Sequence, residues 1–76
     1  MRYEMLPFER IRALREDHDM KQKDVAAYLN IAQNTYSQYE IGVRNYPVEV
    51  LIKLAKLYGT SIDYMVGLTD NPEPYR

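Results

Sequence analysis

The feature that most constrains the fold is that apolar residues recur at helical spacing in short segments, each ended by a residue that tolerates positive φ. These residues are Asn30, Gly42, Gly59 and Gly67, and glycine, with Asn next, adopts the left-handed conformation most readily. Between them apolar residues recur every three or four positions, which is the period of an amphipathic helix. No segment alternates convincingly as a strand would. The sequence therefore predicts an all-α, compact five-helix bundle.

The predicted helices can be placed by their first-turn and stop residues. Pro7 and Pro47 suit a first turn, and Ser61 is a good N-cap. The predicted spans are residues 7–18, 22–29, 33–41, 47–58 and 61–66. The apolar face predicted for the fourth helix comprises Val48, Leu51, Ile52, Leu54, Ala55 and Tyr58. Residues 1–5 are predicted either to form a short strand or to fray.

Length and composition limit the classes of function. At 76 residues without cysteine the chain is one small domain that lacks disulfides and zinc–thiolate sites. No apolar stretch approaches the length of a membrane span, and no signal peptide is visible, so we expect no membrane partner and a cytoplasmic location. Two serines and His18 alone offer no plausible nucleophile triad. We therefore predict that the protein is not an enzyme and has no cofactor or metal site.

The charge distribution is nearly balanced. Ten basic and eleven acidic residues give a net charge of −1, whereas a nucleic-acid-binding domain is usually basic. Residues 20–47 hold three basic and two acidic residues, which makes this segment the one positive third of the chain. Any electrostatic contribution to binding a polyanion is therefore expected from a few local donors, namely Lys21, Lys23 and Arg44.

The second and third predicted helices have the dimensions of a helix-turn-helix. Ala26 supplies the small side chain needed where the helices cross, and Asn30 can take the left-handed turn position. The spacing predicts core positions for Tyr28, Tyr36 and Tyr39. Uncharged donors and acceptors are predicted on the outward face of the third helix: Gln33, Asn34, Thr35, Ser37 and Gln38. Asn and Gln can bond adenine through two hydrogen bonds, so this face suits the major groove of DNA.

Three stretches of the chain resemble a known family in order and spacing. They are IRALRED, QKDVAAYLNIAQNTYSQYEIGVRNYP and LIKLAKLYGTSIDYMVG, and together they cover Ile11 to about Gly67. The family is that of the lambda-repressor-like, Cro-type (XRE-like) helix-turn-helix regulators of phages and bacteria. The resemblance implies a helix-turn-helix DNA-binding domain in residues 1–67. The residues of the tail, 68–76, predict a segment that is extended or poorly ordered, or else docked through Tyr75 or involved in dimerisation.

The resemblance also implies roles for individual residues. Gln22 matches a glutamine that bonds a DNA phosphate and braces the first residue of the third helix, here Gln33. Arg15 and Glu40 match a partly buried salt bridge. The positions that match base contacts are Gln33, Asn34, Thr35 and Gln38, and those that match backbone contacts are Arg44, Asn45 and Tyr46. Lys21 and Ala32 depart from the family, because each replaces a Ser or Thr cap.

The expected function is that of a sequence-specific transcriptional regulator, a repressor by resemblance, that binds an inverted-repeat operator as a homodimer. The family resemblance and the apolar C-terminal end of the domain place the dimer surface at Tyr58, Tyr64 and Met65. The alternative is a protein-interaction module of the same fold, such as an antitoxin or anti-regulator. The acidic balance and the tyrosines near the C-terminus motivate that alternative.

Overall fold

The computed structural model describes residues 7–73, in which there are five helices and no strand. The helices are α1 (Pro7–Asp17), α2 (Gln22–Leu29), α3 (Gln33–Glu40), α4 (Val48–Tyr58) and α5 (Ile62–Met65). Each lies within one residue of its predicted start and end, and the all-α five-helix bundle is confirmed. The strand or frayed segment considered for residues 1–5, and the docking of Tyr75, lie outside the described residues.

The stops between helices have the backbone conformation that the sequence predicted. Asn30 has φ 60° and ψ 44°, and Gly59 has φ 65° and ψ 40°, so both residues end their helices in the left-handed region. Asp19 takes the same conformation, with φ 56°, directly after α1. The sequence did not single out Asp19, although Asp, like Asn, enters this region more readily than most residues.

One apolar core joins all five helices. Its fully buried members include Ile11 of α1, Val25 of α2, Tyr36 of α3, Leu54 of α4 and Met65 of α5. Each helix therefore contributes at least one side chain from the inward face of its amphipathic pattern. Burying these side chains supplies the main favourable free energy of folding.

Three residues predicted to be inward lie at the surface. Tyr28 is 45% exposed, Ile52 41% and Val48 68%. Tyr28 lies over α4 and donates its hydroxyl hydrogen to the Lys53 carbonyl at 3.3 Å. On α4 the buried positions are Leu54 and Tyr58, as predicted, and Val50, which was not predicted; the three are four residues apart. The contacting surface of α4 is therefore narrower than its apolar composition predicted.

The segment after α5 folds back onto the domain. Thr60 Oγ1 donates to the Pro72 carbonyl at 2.6 Å. Arg10 Nη1 donates to the carbonyls of Tyr64 and Thr69, both at 2.9 Å, and Arg10 Nη2 lies 3.3 Å from Asp70. Residues 69–72 are thus attached to α1 and to the start of α5.

Candidate nucleic-acid interface

The α2–turn–α3 unit is held together by a small crossing residue and a left-handed turn. Ala26 is buried, and its carbonyl accepts a hydrogen bond of 3.0 Å from the Ile31 amide across the turn. Asn30 completes the turn at the end of α2. These features confirm the helix-turn-helix geometry predicted from Ala26 and Asn30. They fix the direction in which α3 leaves the turn.

The two sides of α3 differ sharply in exposure. Tyr36, Tyr39 and Glu40 are buried. Gln33 and Asn34 are exposed, and the other three outward residues are half-buried: Thr35, Ser37 and Gln38. The polar face predicted from spacing is therefore present at the surface of the domain. Side-chain amides and hydroxyls of this kind can donate to and accept from base edges.

A buried ion pair joins α3 to α1. Arg15 Nε donates to Glu40 Oε2 at 2.7 Å, and Arg15 Nη2 donates to Glu40 Oε1 at 3.2 Å, so the pair is bidentate. Arg15 Nη1 also donates to the Met20 carbonyl at 2.9 Å. The side chain of Glu40 is 1% exposed. The salt bridge expected from the resemblance is present, and its geometry fixes the inward side of α3.

Gln22 joins the same pair from α2. Its Nε2 donates to Glu40 Oε1 at 3.0 Å, so this amide braces the end of α3 at Glu40 rather than its first residue, Gln33. Burial alone would raise the pKa of the Glu40 carboxyl, but the hydrogen bonds from Arg15 and Gln22 outweigh burial and hold it below its usual value. Glu40 is therefore ionised near neutral pH and links three helices.

Tyr46 requires a correction. The sequence placed its side chain beside a DNA phosphate, but its hydroxyl is buried. Its ring stacks on Tyr39 with centroids 5.1 Å apart. Burial raises the pKa of Tyr46 and that of Tyr36 above the usual value, and raises that of Tyr58 to about 12. These neutral tyrosines pack around the ion pair, so Tyr46 anchors the loop after α3 and its hydroxyl does not face solvent.

The loop after α3 folds back onto the last turn of that helix. The amides of Val43 and Arg44 both donate to the Gln38 carbonyl, at 3.0 and 3.2 Å. Arg44 Nε also donates to Gln38 Oε1 at 2.9 Å. Arg44 and Asn45 are exposed, as the predicted backbone contacts require. The bond between Arg44 and Gln38 joins a predicted backbone-contact residue to a predicted base-contact residue, and sequence spacing did not indicate it.

The start of α2 carries the remaining predicted phosphate contacts. Lys21 and Lys23 are exposed, and Gln22 between them is half-buried. Neither Lys21 before α2 nor Ala32 before α3 caps its helix through a side chain. Asp24 accepts a hydrogen bond of 2.9 Å from the Lys21 amide, and this bond is one half of a capping box. Glu40 is paired with Arg15 in the core. The charge that residues 20–47 expose is therefore more positive than the composition of that segment suggests.

The predicted dimer surface also requires a correction. Met65 is fully buried and Tyr58 is 7% exposed, because both belong to the core of a single chain. Tyr64 is half-buried, and the Arg10 guanidinium lies 4.4 Å from the centre of its ring. The exposed apolar end inferred from these three residues is therefore absent. Apolar residues that are exposed lie elsewhere: Ile41, Val43, Val48 and Leu68.

Within residues 7–73, no group of three or more His, Cys, Asp or Glu side chains is arranged to hold a metal ion. His18 lies at the surface with its Nδ1 2.8 Å from the Leu14 carbonyl, and its ring packs 5.0 Å from that of Tyr58. None of the helices described is long and apolar enough to cross a membrane.

Three features define a helix-turn-helix domain of the lambda-repressor type. They are the left-handed turn between two short helices, the polar outward face of the second helix and the buried ion pair behind that helix. The same fold occurs in the P22 c2 repressor, solved in complex with a synthetic operator, which superposes with a TM-score of 0.74 at 29% identity over 82% of this chain and 94% of that one. A transcriptional regulator from Listeria innocua gives a TM-score of 0.79, also at 29% identity, over 91% of this chain and 64% of that one.

The family follows from the sequence comparisons. A model of the helix-turn-helix family matches residues 11–65, and the chain belongs to that family. It is 39% identical over 66 residues to the uncharacterised HTH-type transcriptional regulator YobD of Bacillus subtilis, with 87% of this chain and 59% of YobD covered. It is 40% identical over 58 residues to the cryptic phage CTXphi transcriptional repressor RstR of Vibrio cholerae, with 76% of this chain and 52% of RstR covered. The chain thus spans little more than half the length of these two relatives.

Proposed function

We propose that this protein is a transcriptional regulator that represses by binding a specific DNA operator through the exposed face of α3. The observation on which this rests is the contrast between the two sides of that helix. On the inward side, Arg15 Nε donates to Glu40 Oε2 at 2.7 Å and ties α3 to α1. On the outward side, Gln33 and Asn34 face solvent. A rigid helix with exposed amides is what base recognition in the major groove requires.

Residues outside α3 complete the proposed contact with DNA. Lys21, Lys23, Arg44 and Asn45 are exposed and suited to contact the backbone, and Gln22 adds an amide donor at the start of α2. The Gln22 amide nitrogen carries two hydrogens, so its bond to Glu40 leaves one for a phosphate. Backbone contacts set the register on the duplex, and base contacts from Gln33, Asn34, Thr35 and Gln38 supply specificity.

The operator is proposed to be an inverted repeat bound by a homodimer in the cytoplasm. One α3 can contact only a few base pairs, so two copies are needed for useful affinity and selectivity. Major grooves on one side of B-DNA recur about every 34 Å, which sets the expected spacing of the half-sites. The similarity of the fold to that of the P22 c2 repressor, solved in complex with a synthetic operator, supports DNA as the partner.

Selection of bound sites from a random-duplex library at about 0.15 M salt tests this function. We expect an inverted repeat to be enriched and to bind far more tightly than its half-site in band-shift measurements. Gln33→Ala, which truncates an exposed amide on the outward side of α3, should lose discrimination within the motif, and Asn71→Ala, which truncates an exposed amide outside α2 and α3, is its matched control. Absence of any enriched motif with the folded wild-type protein would contradict the proposal.

A second candidate function is binding of another protein, as an antitoxin or anti-regulator would. It is favoured by exposed apolar side chains, of which Val43 is 71% and Val48 68% exposed. Isolated apolar residues at a surface are common, so these two are weaker support than the face of α3. If the folded protein selects no DNA motif, co-purification with its native partners becomes the decisive measurement for this candidate.

A further inference from the structure

Gln38 and Arg44 form one unit at the end of the proposed base-contact face. Two backbone amides, from Val43 and Arg44, donate to the Gln38 carbonyl and hold the loop against the helix. The side chains then meet, with Arg44 Nε 2.9 Å from Gln38 Oε1. Because backbone and side-chain bonds both join these residues, Arg44 is positioned to control how the Gln38 amide is presented.

The chemistry of the contact restricts the orientation of the amide. A free glutamine can offer its oxygen or its nitrogen at a given point, since the two ends differ only by a flip. The guanidinium carries five N–H donors and no acceptor. If the Gln38 amide were flipped, its NH₂ group would face the Arg44 donor and the hydrogen bond would be lost. The observed orientation therefore engages one lone pair of the oxygen with Arg44 and leaves both hydrogens of the nitrogen available to DNA.

The base that suits this unit follows from the major-groove pattern. The remaining hydrogens of Gln38 Nε2 and of the Arg44 guanidinium are all donors. Guanine presents two acceptors, O6 and N7, whereas adenine presents one acceptor and one donor, thymine presents one acceptor and a methyl group, and cytosine presents a donor. The positive charge of Arg44 further favours the edge that is richer in acceptors.

We propose that Arg44 is a positioning residue for base recognition and that the Arg44–Gln38 unit selects guanine at the base pair faced by Gln38. This inference rests on the proposed function, because it assigns a base to one position of the operator. It also gives Arg44 a second role beyond attraction to phosphates. Loss of Arg44 should then change specificity at one base pair in addition to weakening binding to all DNA.

The test compares the wild-type protein with four variants on sites selected from the same random-duplex library. The base pair faced by Gln38 is the one at which Gln38→Ala loses discrimination. At that pair the wild-type protein should prefer guanine over adenine by about fivefold or more, since a good base contact contributes roughly 1–3 kcal/mol. Arg44→Ala should reduce this preference toward equality while leaving preferences at the Gln33 position unchanged.

Two matched variants separate orientation from charge. Lys23→Ala also removes one exposed positive charge, but from α2, and should weaken all sites alike while retaining the guanine preference. Gln38→Glu keeps an acceptor for Arg44 but removes the amide donor, so it should lose the guanine preference. The side-chain NH₂ resonances of Gln38 should shift in Arg44→Ala and not in Lys23→Ala, a measurement that needs no DNA.

The outcomes distinguish this inference from the function on which it rests. If the wild-type protein selects no motif, the proposed function fails and the inference fails with it. If it selects a motif in which adenine is preferred at this pair, or if Arg44→Ala keeps the guanine preference, only the inference is overturned.

Discussion

The two faces of α3 belong to the same eight residues but are determined in different ways. The inward face holds Glu40, which accepts hydrogen bonds from Arg15 and Gln22, so that three helices meet at one carboxylate. On the outward face, Gln33 and Asn34 project into solvent. A change on the inward face therefore has to be accommodated by two other helices, whereas a change at Gln33 or Asn34 has little to displace.

This difference predicts that the outward face can be changed without loss of the fold. Buried charges that lose a partner destabilise a protein strongly, and surface substitutions usually change stability by less than about 0.5 kcal/mol. Gln38 is the intermediate case, because it lies on the outward side but bonds Arg44. The following predictions test the separation of stability on one face from recognition on the other.

The largest effect is expected from Glu40→Gln. The substitution keeps the shape of the side chain but removes the buried charged partner of Arg15, so we expect a loss of about 3–5 kcal/mol in the free energy of unfolding. Urea denaturation followed by circular dichroism measures it. Glu16→Gln is the control, since Glu16 is exposed and lies 3.9 Å from the same Arg15. Equal losses in the two variants would show that burial of the pair is unimportant.

On the outward face, Gln33→Ala should leave stability within about 0.5 kcal/mol of the wild type. It should cost about 1–3 kcal/mol of binding to the selected operator, with a much smaller loss on scrambled DNA. Band shifts on both duplexes measure the difference. Equal loss on the two duplexes would remove Gln33 from the base-contact residues.

The inward face should also be sensitive to acid. Because the pKa of Glu40 is lower in the folded protein than its ordinary value of 4.5, its contribution is present above pH 4.5 and is lost as the pH falls toward the folded value. The free energy of unfolding of the wild type should therefore decrease more steeply on acidification below pH 4.5 than that of Glu40→Gln. Denaturation series in this range should show the wild type and Glu40→Gln converging. Parallel curves would mean that Glu40 does not titrate as its contacts indicate.

The smallest effect is expected at the start of α2. Lys23 is exposed and lies on neither face of α3. Lys23→Ala should weaken binding to operator and non-specific DNA equally, and should reduce the slope of log affinity against log salt by about 1. Binding measured at several salt concentrations tests this. A loss confined to the operator would assign Lys23 to specificity instead.

Sequence patterns located the helices well because helix stops and apolar periods are local properties. Asn30 and Gly59 end their helices in the left-handed region as expected. The failures concern which side chains the core covers. Tyr28 and Ile52 have the right spacing for burial and remain 45% and 41% exposed, because spacing defines a face but not how much of that face a neighbouring helix covers.

Two tyrosines show the opposite failure, because residues that the sequence assigned to surfaces have buried hydroxyls. Tyr46 and Tyr58 were assigned to surfaces for DNA and for a second copy, yet the hydroxyls of both are buried. A tyrosine has an apolar ring and one polar atom, so it suits a core or an interface, and its sequence position does not decide between them. Both are buried near the Arg15–Glu40 pair, where α1 and α3 meet.

The sequence by itself determined the number of helices, their limits, the turn at Asn30, the polar residues of α3 and, through family resemblance, the Arg15–Glu40 pair. These depend on residues close together along the chain or on a pattern that recurs as a whole. Only the tertiary structure decided that Gln22 bonds Glu40, that Arg44 bonds Gln38 and that residues 69–72 return to Arg10 and Thr60. Hydrogen bonds between separate segments require distances and directions that exist only once the helices have packed.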